Sequence, residues 1–150
     1  MLIHSESIAE YRSMFTAADR ELCIFTGKGD LEYAADFVAA AGTFLARPGR
    51  HLRVACQCGD DISTCPIIQS IANDPQRQGE LSVHDAHIFC GAPYFILSDG
   101  AHYRLEITAL DETITDHGDP EAAARLHEYY QQILSHSPCV LRLPAKTMDH

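Results

Sequence analysis

Two periodicities share this chain: short apolar runs suited to strands, and longer stretches in which apolar residues return every three or four positions, as in helices. Ser5 or Ser7 can cap a first helix whose Ile8, Tyr11, Phe15 and Ala18 fall on one face. Glu21 to Phe25 (ELCIF) is a short apolar run that ends in Thr26-Gly27-Lys28-Gly29-Asp30, so it reads as a buried strand entering a loop. Asp30 sits where a helix cap belongs, and Ala34, Val38, Ala41 and Leu45 then form an apolar stripe reaching to Pro48-Gly49. His51 to Cys56 (HLRVAC) is a second strand. Pro66 opens a short helix with Ile67, Ile68 and Ile71 turned inward, and Asn73-Asp74-Pro75 stops it.

In the second half Glu80 to Val83 is a third strand, and Pro93–Leu97 and His102–Ile107 form a pair around a two-residue Asp99-Gly100 turn of type I′. Residues 106–118 are polar and irregular, which predicts a surface loop. Asp119 caps a helix from Pro120 to Ser135 whose inner face is Leu126, Tyr129, Tyr130, Ile133 and Leu134. Ser137-Pro138 stops it, Cys139 to Leu143 adds a short edge strand, and residues 145–150 fray. The order α-β-α-β-α-β-β-β-α, without repeat or linker, predicts one α/β domain over residues 1–144, with a mixed central sheet flanked by helices.

The 150 residues are of single-domain size. Eleven Lys and Arg against 21 Asp and Glu leave a net charge of −10 with His neutral. Such a chain repels phosphate backbones at long range, so the expectation is no direct non-specific nucleic-acid binding, and a protein partner with a basic surface instead. No run of ~18 apolar residues exists to span a membrane. The start, MLIHSESIAEYRSMF, lacks the layout of a secretion signal, so Cys23, Cys56, Cys58, Cys65, Cys90 and Cys139 read as reduced thiols of a cytoplasmic protein.

Several residue sets carry possible chemistry. Cys56-x-Cys58 with Cys65 and His51, joined by His84, His87 or Cys90, supplies the nitrogen and sulfur donors that zinc takes. Cys56 serves equally well as a buried core thiol. Cys65 stands directly ahead of Pro66, where unpaired helix N–H groups stabilise a thiolate, and His84 or His87 could act as its base. Gly27, Lys28 and Gly29 join a strand to a helix and offer backbone donors plus a cation to an anion, although a plain tight turn accounts for them too. Asp111, Glu112, Asp116, Asp119 and Glu121 gather into an acidic stretch that, with Tyr130 on the following helix, is a candidate interaction surface. Core packing is the competing reading of Tyr130, and no cofactor is expected.

The run from Gly91 to Glu106 (GAPYFILSDGAHYRLE), the return strand ending in Arg104-Leu105-Glu106 and the helix opened by Asp119-Pro120 together resemble the second half of a single phospholipase-D-like repeat. The resemblance implies a strand bearing His-x-Lys-x-x-x-x-Asp, in which the His attacks a phosphodiester and the Lys holds phosphate. Asp99 stands at the Asp position, but Ala92 and Tyr94 stand where His and Lys belong. It further implies pairing of two copies as a homodimer. The expected function is therefore a non-catalytic acidic binding protein that docks on another protein, as an inhibitor, immunity-type protein or regulatory subunit, in one version of a nucleic-acid-handling complex. A phosphodiesterase-related or Cys65-dependent enzyme and a zinc-binding module are the alternatives.

Overall fold

The computed structural model describes residues 14–26, 34–56, 66–86, 88, 94–99, 102–107, 112–116 and 120–146, with 26, 34–37, 56, 66–67, 94, 104–107 and 112–116 described by their backbone alone. Three parallel strands form its centre: β1 (Glu21–Thr26), β2 (His51–Cys56) and β3 (Glu80–Asp85). Helices α1 (Ala34–Leu45) and α2 (Pro66–Ala72) make the two crossovers between them, and both pack on one face, as right-handed crossovers of a parallel sheet must. The chain then returns to the far side of β1. There β4 (Tyr94–Ser98), β5 (His102–Ile107) and β6 (Glu112–Asp116) follow as an antiparallel meander. Helix α3 (Pro120–Ser135) crosses the opposite face, and β7 (Cys139–Leu143) closes the other edge antiparallel to β3. The seven strands lie in the order β6-β5-β4-β1-β2-β3-β7. This is a single α/β domain with a mixed sheet, as the pattern of elements predicts.

Two features depart from the pattern. The polar stretch expected to be a surface loop contains strand β6, because Thr113, Ile114 and Thr115 pair with Glu106, Leu105 and Arg104 of β5. β-branched residues in an edge strand need only one paired neighbour, so acidic flanks do not prevent the pairing. The β4–β5 connection is also longer than two residues. Ser98 pairs with His102, which leaves residues 99–101 between the last paired positions. Asp99, the first residue of that connection, also donates its N–H to the Glu21 carbonyl at 2.9 Å, one residue beyond the last β4–β1 pair. It does have the positive φ, 53°, of a turn residue.

Alternation along the strands sends side chains into two separate cores. On one face Leu22 and Ile24 of β1, Leu52 and Val54 of β2, Leu81 and Val83 of β3 and Ile96 of β4 pack under Phe44 and Leu45 of α1, Ile68 and Ile71 of α2, and Met14 and Phe15 of the helical residues 14–17. On the other, Cys23, Phe25, Ala55, Phe95, Leu97 and Tyr103 pack under Ala123, Tyr130 and Ile133 of α3. Those three are seven and three residues apart, spacings that align one side of a helix.

The layers are stitched together at Gly79. Its N–H and that of Gln78 both donate to the Leu45 carbonyl at the end of α1, at 2.9 and 2.7 Å. A Cβ at this position would lie 2.5 Å from the Arg50 carbonyl, so only glycine allows β3 to start this close to β2. Among the described residues no helix is long and apolar enough to cross a membrane.

Candidate functional site

The face covered by α3 is not apolar throughout. Near the starts of the parallel strands its inward positions are Glu21 on β1, His51 and Arg53 on β2, and Glu80 and Ser82 on β3, joined by Arg142 from β7. The register places them as cross-strand neighbours: Glu21 beside His51, His51 beside Glu80, and Ser82 beside Arg142. The imidazole Nε2 of His51 lies 2.9 Å from Ser82 Oγ and 3.0 Å from Glu80 Oε2. Its Nδ1 accepts from Arg53 Nε at 3.3 Å, and Arg53 Nε is 3.8 Å from Glu21 Oε1. Arg142 Nη2 reaches Glu80 Oε1 at 3.4 Å. The result is a polar lattice across four strands with alternating charges, only partly open to solvent.

A serine, a histidine and a glutamate in contact suggest a nucleophilic triad, but the hydrogen bonds are arranged wrongly for one. A triad needs the carboxylate on one ring nitrogen and the serine on the other, so that the second nitrogen can take the serine proton. Here Glu80 and Ser82 share Nε2, while Nδ1 must carry a lone pair to accept from Arg53. Nε2 therefore bears the proton and donates it. The same geometry suits a neutral ring. Burial lowers the basicity of His51, Arg53 lowers it further, and Glu80 and Glu21 oppose this without reversing it, so its pKa lies below the ordinary histidine value.

A pH dependence follows. With the folded-state pKa below the unfolded one, the unfolded chain binds more protons, and the stability contributed by His51 is present above about pH 6.5 and lost as pH falls through that value towards the folded pKa. Melting curves at about pH 7.5 and pH 5.5 should therefore show a larger drop in Tm for the wild type than for His51→Gln. Equal drops would remove His51 from the account.

Cys23 sits beside the lattice with its thiol 2.9 Å from Glu21 Oε1. Burial, and then Glu21, push its pKa well up, so this sulfur is no nucleophile at neutral pH.

The other residues singled out by the sequence are placed as follows. Tyr130 is not on a surface: it is fully buried, and its hydroxyl donates to the Ile24 and Arg53 carbonyls at 3.3 and 3.1 Å, while Phe95 packs edge-on to the ring at 5.8 Å. The helix phase explains the correction, since Tyr130 lies seven residues, two turns, from buried Ala123, and its neighbour Tyr129 is the half-buried one. Glu121 is exposed in the first turn of α3 and pairs with Arg125 four residues on, at 3.0 Å. Glu112 and Asp116 are the terminal residues of edge strand β6. Asp111 and Asp119 lie outside the described residues, as do Gly27, Lys28 and Gly29 of the anion loop.

Cys56 ends β2, and Cys58, Cys65, His87 and Cys90 lie outside the described residues. His51 begins the same strand, roughly 16 Å from Cys56 at about 3.3 Å per residue, so those two cannot share one metal ion. His84 is also engaged elsewhere, its Nδ1 donating to the Ser137 carbonyl at 3.1 Å. Among the described residues no group of three or more His, Cys, Asp or Glu is placed to hold a metal.

Glu21, Arg53, Glu80, Ser82 and Arg142 were absent from the sequence-derived candidates. Their signal was nevertheless present: in HLRVAC and ELSVHD polar residues alternate with apolar ones, the mark of a strand with one face not fully buried.

Helices on both faces of a mixed seven-stranded sheet define an α/β domain, and the hydrogen bonds of its polar lattice are not ordered as a catalytic triad. Among solved structures the chain is similar to TrmBL2, described as an archaeal chromatin protein with a novel mode of DNA binding, with a TM-score of 0.57 and 14% sequence identity. The superposition covers 89% of this chain and 51% of that one, so the chain spans about half the length of TrmBL2, and the likeness is one of fold. No family model and no curated protein matches the sequence.

The likeness corrects one expectation. A fold carried by a DNA-binding chromatin protein gives no ground for excluding direct nucleic-acid binding. A net charge of −10 is an average over the surface and does not set the sign of each face. The partner assignment that rested on that charge is withdrawn with it.

Proposed function

We propose that this chain is a non-catalytic acidic binding protein on a degenerate phospholipase-D-like frame, docking on another protein as an inhibitor, immunity-type protein or regulatory subunit. The observation that carries the reading is the engagement of Asp99. Both its carboxylate oxygens accept backbone N–H groups, from Asp19 to Oδ2 and from Arg20 and Glu21 to Oδ1, each at 2.9 Å. The acid of the motif is thus spent on architecture, in a sequence with Ala92 and Tyr94 at the motif's His and Lys positions. The His51 lattice offers no replacement, because its ring proton already points at Glu80 and Ser82. A cytoplasmic setting agrees with free thiols at buried Cys23 and exposed Cys139.

A second reading, binding of duplex DNA, is favoured by the description of TrmBL2. One set of experiments separates the readings. The purified chain should not turn over bis(4-nitrophenyl) phosphate. Capture from a nuclease-treated native lysate should yield a protein partner in stoichiometric amount, while the purified chain leaves the mobility of duplex DNA unchanged. Turnover abolished by His51→Gln or His84→Gln would overturn the non-catalytic reading. A mobility shift on duplex DNA with no protein captured would favour the second.

A further inference from the structure

The helical layer on the face opposite α3 contains a cavity of about 300 Å³ between residues 14–17 and the second half of α1. Its walls are apolar: Phe15, Ala39, Ala40 and Phe44. Its polar atoms come from Arg47 and Arg50, together with Thr16 and Thr43. Thr43 spends its hydroxyl on the Ala39 carbonyl at 3.1 Å, so the guanidinium groups are left as the main polar recognition elements.

Arg50 is the unusual one. It is 8% exposed, yet among the described residues no carboxylate pairs with it. Nη1 donates to the Ala18 carbonyl at 2.7 Å, and the guanidinium carbon lies 5.1 Å above the Phe44 ring. A guanidinium has five N–H donors, and a buried cation without an anion is unfavourable. Arg47 stands exposed at the same cavity, and it too lacks a carboxylate partner among the described residues. In a chain of net charge −10, two cations meeting at one apolar cavity without acidic partners is a specific arrangement rather than the average of the surface.

We propose that this cavity binds a small apolar carboxylate, its hydrocarbon body against Phe15, Ala40 and Phe44 and its anionic head between Arg47 and Arg50. The pair of arginines matches the two oxygens of a carboxylate, since each guanidinium presents parallel N–H groups. The volume is at the small end for ligand sites and suits a body of roughly a dozen non-hydrogen atoms. The site lies on the other side of the sheet from the polar lattice and α3, so it stands independently of the docking reading.

The test compares 1-naphthoate with its neutral counterpart 1-naphthalenemethanol by isothermal titration of the full chain near pH 7. The wild type should bind the acid at least tenfold more tightly than the alcohol, and Arg47→Gln should reduce that difference at least threefold. Thr43→Trp, which places a large ring at the cavity, should abolish binding of both, with circular dichroism and Tm checking that the fold is retained. If that variant does not fold, Ala39→Trp at an exposed position of α1 replaces it. Equal affinity for acid and alcohol in the wild type, an undiminished difference in Arg47→Gln, or no binding of either probe at millimolar concentration would each overturn the proposal.

Discussion

Tyr130→Ala is expected to destabilise the domain by about 4 kcal/mol, the range typical of emptying a large aromatic from a core. Tyr130 is the bulkiest fully buried side chain among the described residues, and it lies where α3 meets both β1 and β2. Its ring fills space against Phe95, while its hydroxyl serves two strand carbonyls at once. Removing it opens a cavity on the face that α3 covers. The hydroxyl makes a separable contribution: Tyr130→Phe keeps the ring and should cost about 1 kcal/mol. In a chain of this length, Tyr130→Ala corresponds to a Tm lower by about 10 °C, readable by circular dichroism. A loss below about 1 kcal/mol for the alanine variant would mean that α3 is not held at this point.

The second large effect belongs to Asp99, which is mostly exposed and would pass for a loop residue. Asp99→Ala removes the acceptor for three backbone N–H groups at the entry to β1, and places alanine at a φ of 53°. Together these should cost about 2–3 kcal/mol. Asp99→Asn, which tolerates that φ and keeps one acceptor oxygen, should cost about 1 kcal/mol. The carboxylate also gives stability an acid dependence. Burial alone would raise its pKa, but the N–H groups of Asp19, Glu21 and Arg20, and then the Arg20 charge, together outweigh burial and lower it. With the folded pKa below the unfolded one, the contribution is present above about pH 4 and is lost as pH falls through the folded value. Urea denaturation at pH 3 and pH 6 should show a smaller difference in Asp99→Asn than in the wild type. An equal difference would show that the carboxylate charge is not what the N–H groups hold.

Much of the architecture was legible because periodicity and punctuation agree. Pro66 and Pro120 open helices α2 and α3, and β1, β2 and β7 start where their apolar runs start. β6 was missed because an edge strand needs so little hydrophobicity that ETITD looks like loop. The hairpin length was misread for a different reason. A local Asp-Gly signal predicts the turn, but the bond from Asp99 to Glu21 spans 78 residues, and no local pattern encodes it. The site followed the same logic. The helix pattern puts Tyr130 on the inner side, its hydroxyl allows a surface role as well, and its burial with two carbonyl partners decides between them. The His51 lattice draws residues from four strands, so its members become neighbours through register alone.

The strand β7 also bears on what the sheet shows to other chains. Leu81 and Val83 of β3 acquire their outer neighbours from Leu143 and Leu141, 62 and 58 residues downstream, and Arg77 and Gln78 are tied to Pro144 and Lys146. Without β7, the outer backbone groups of β3 would be an unpaired edge of the kind that recruits strands from other chains. The short β7 thus moves the edge of the sheet outward by one strand, from the well-buried β3 to a partner whose own side chains are mostly exposed.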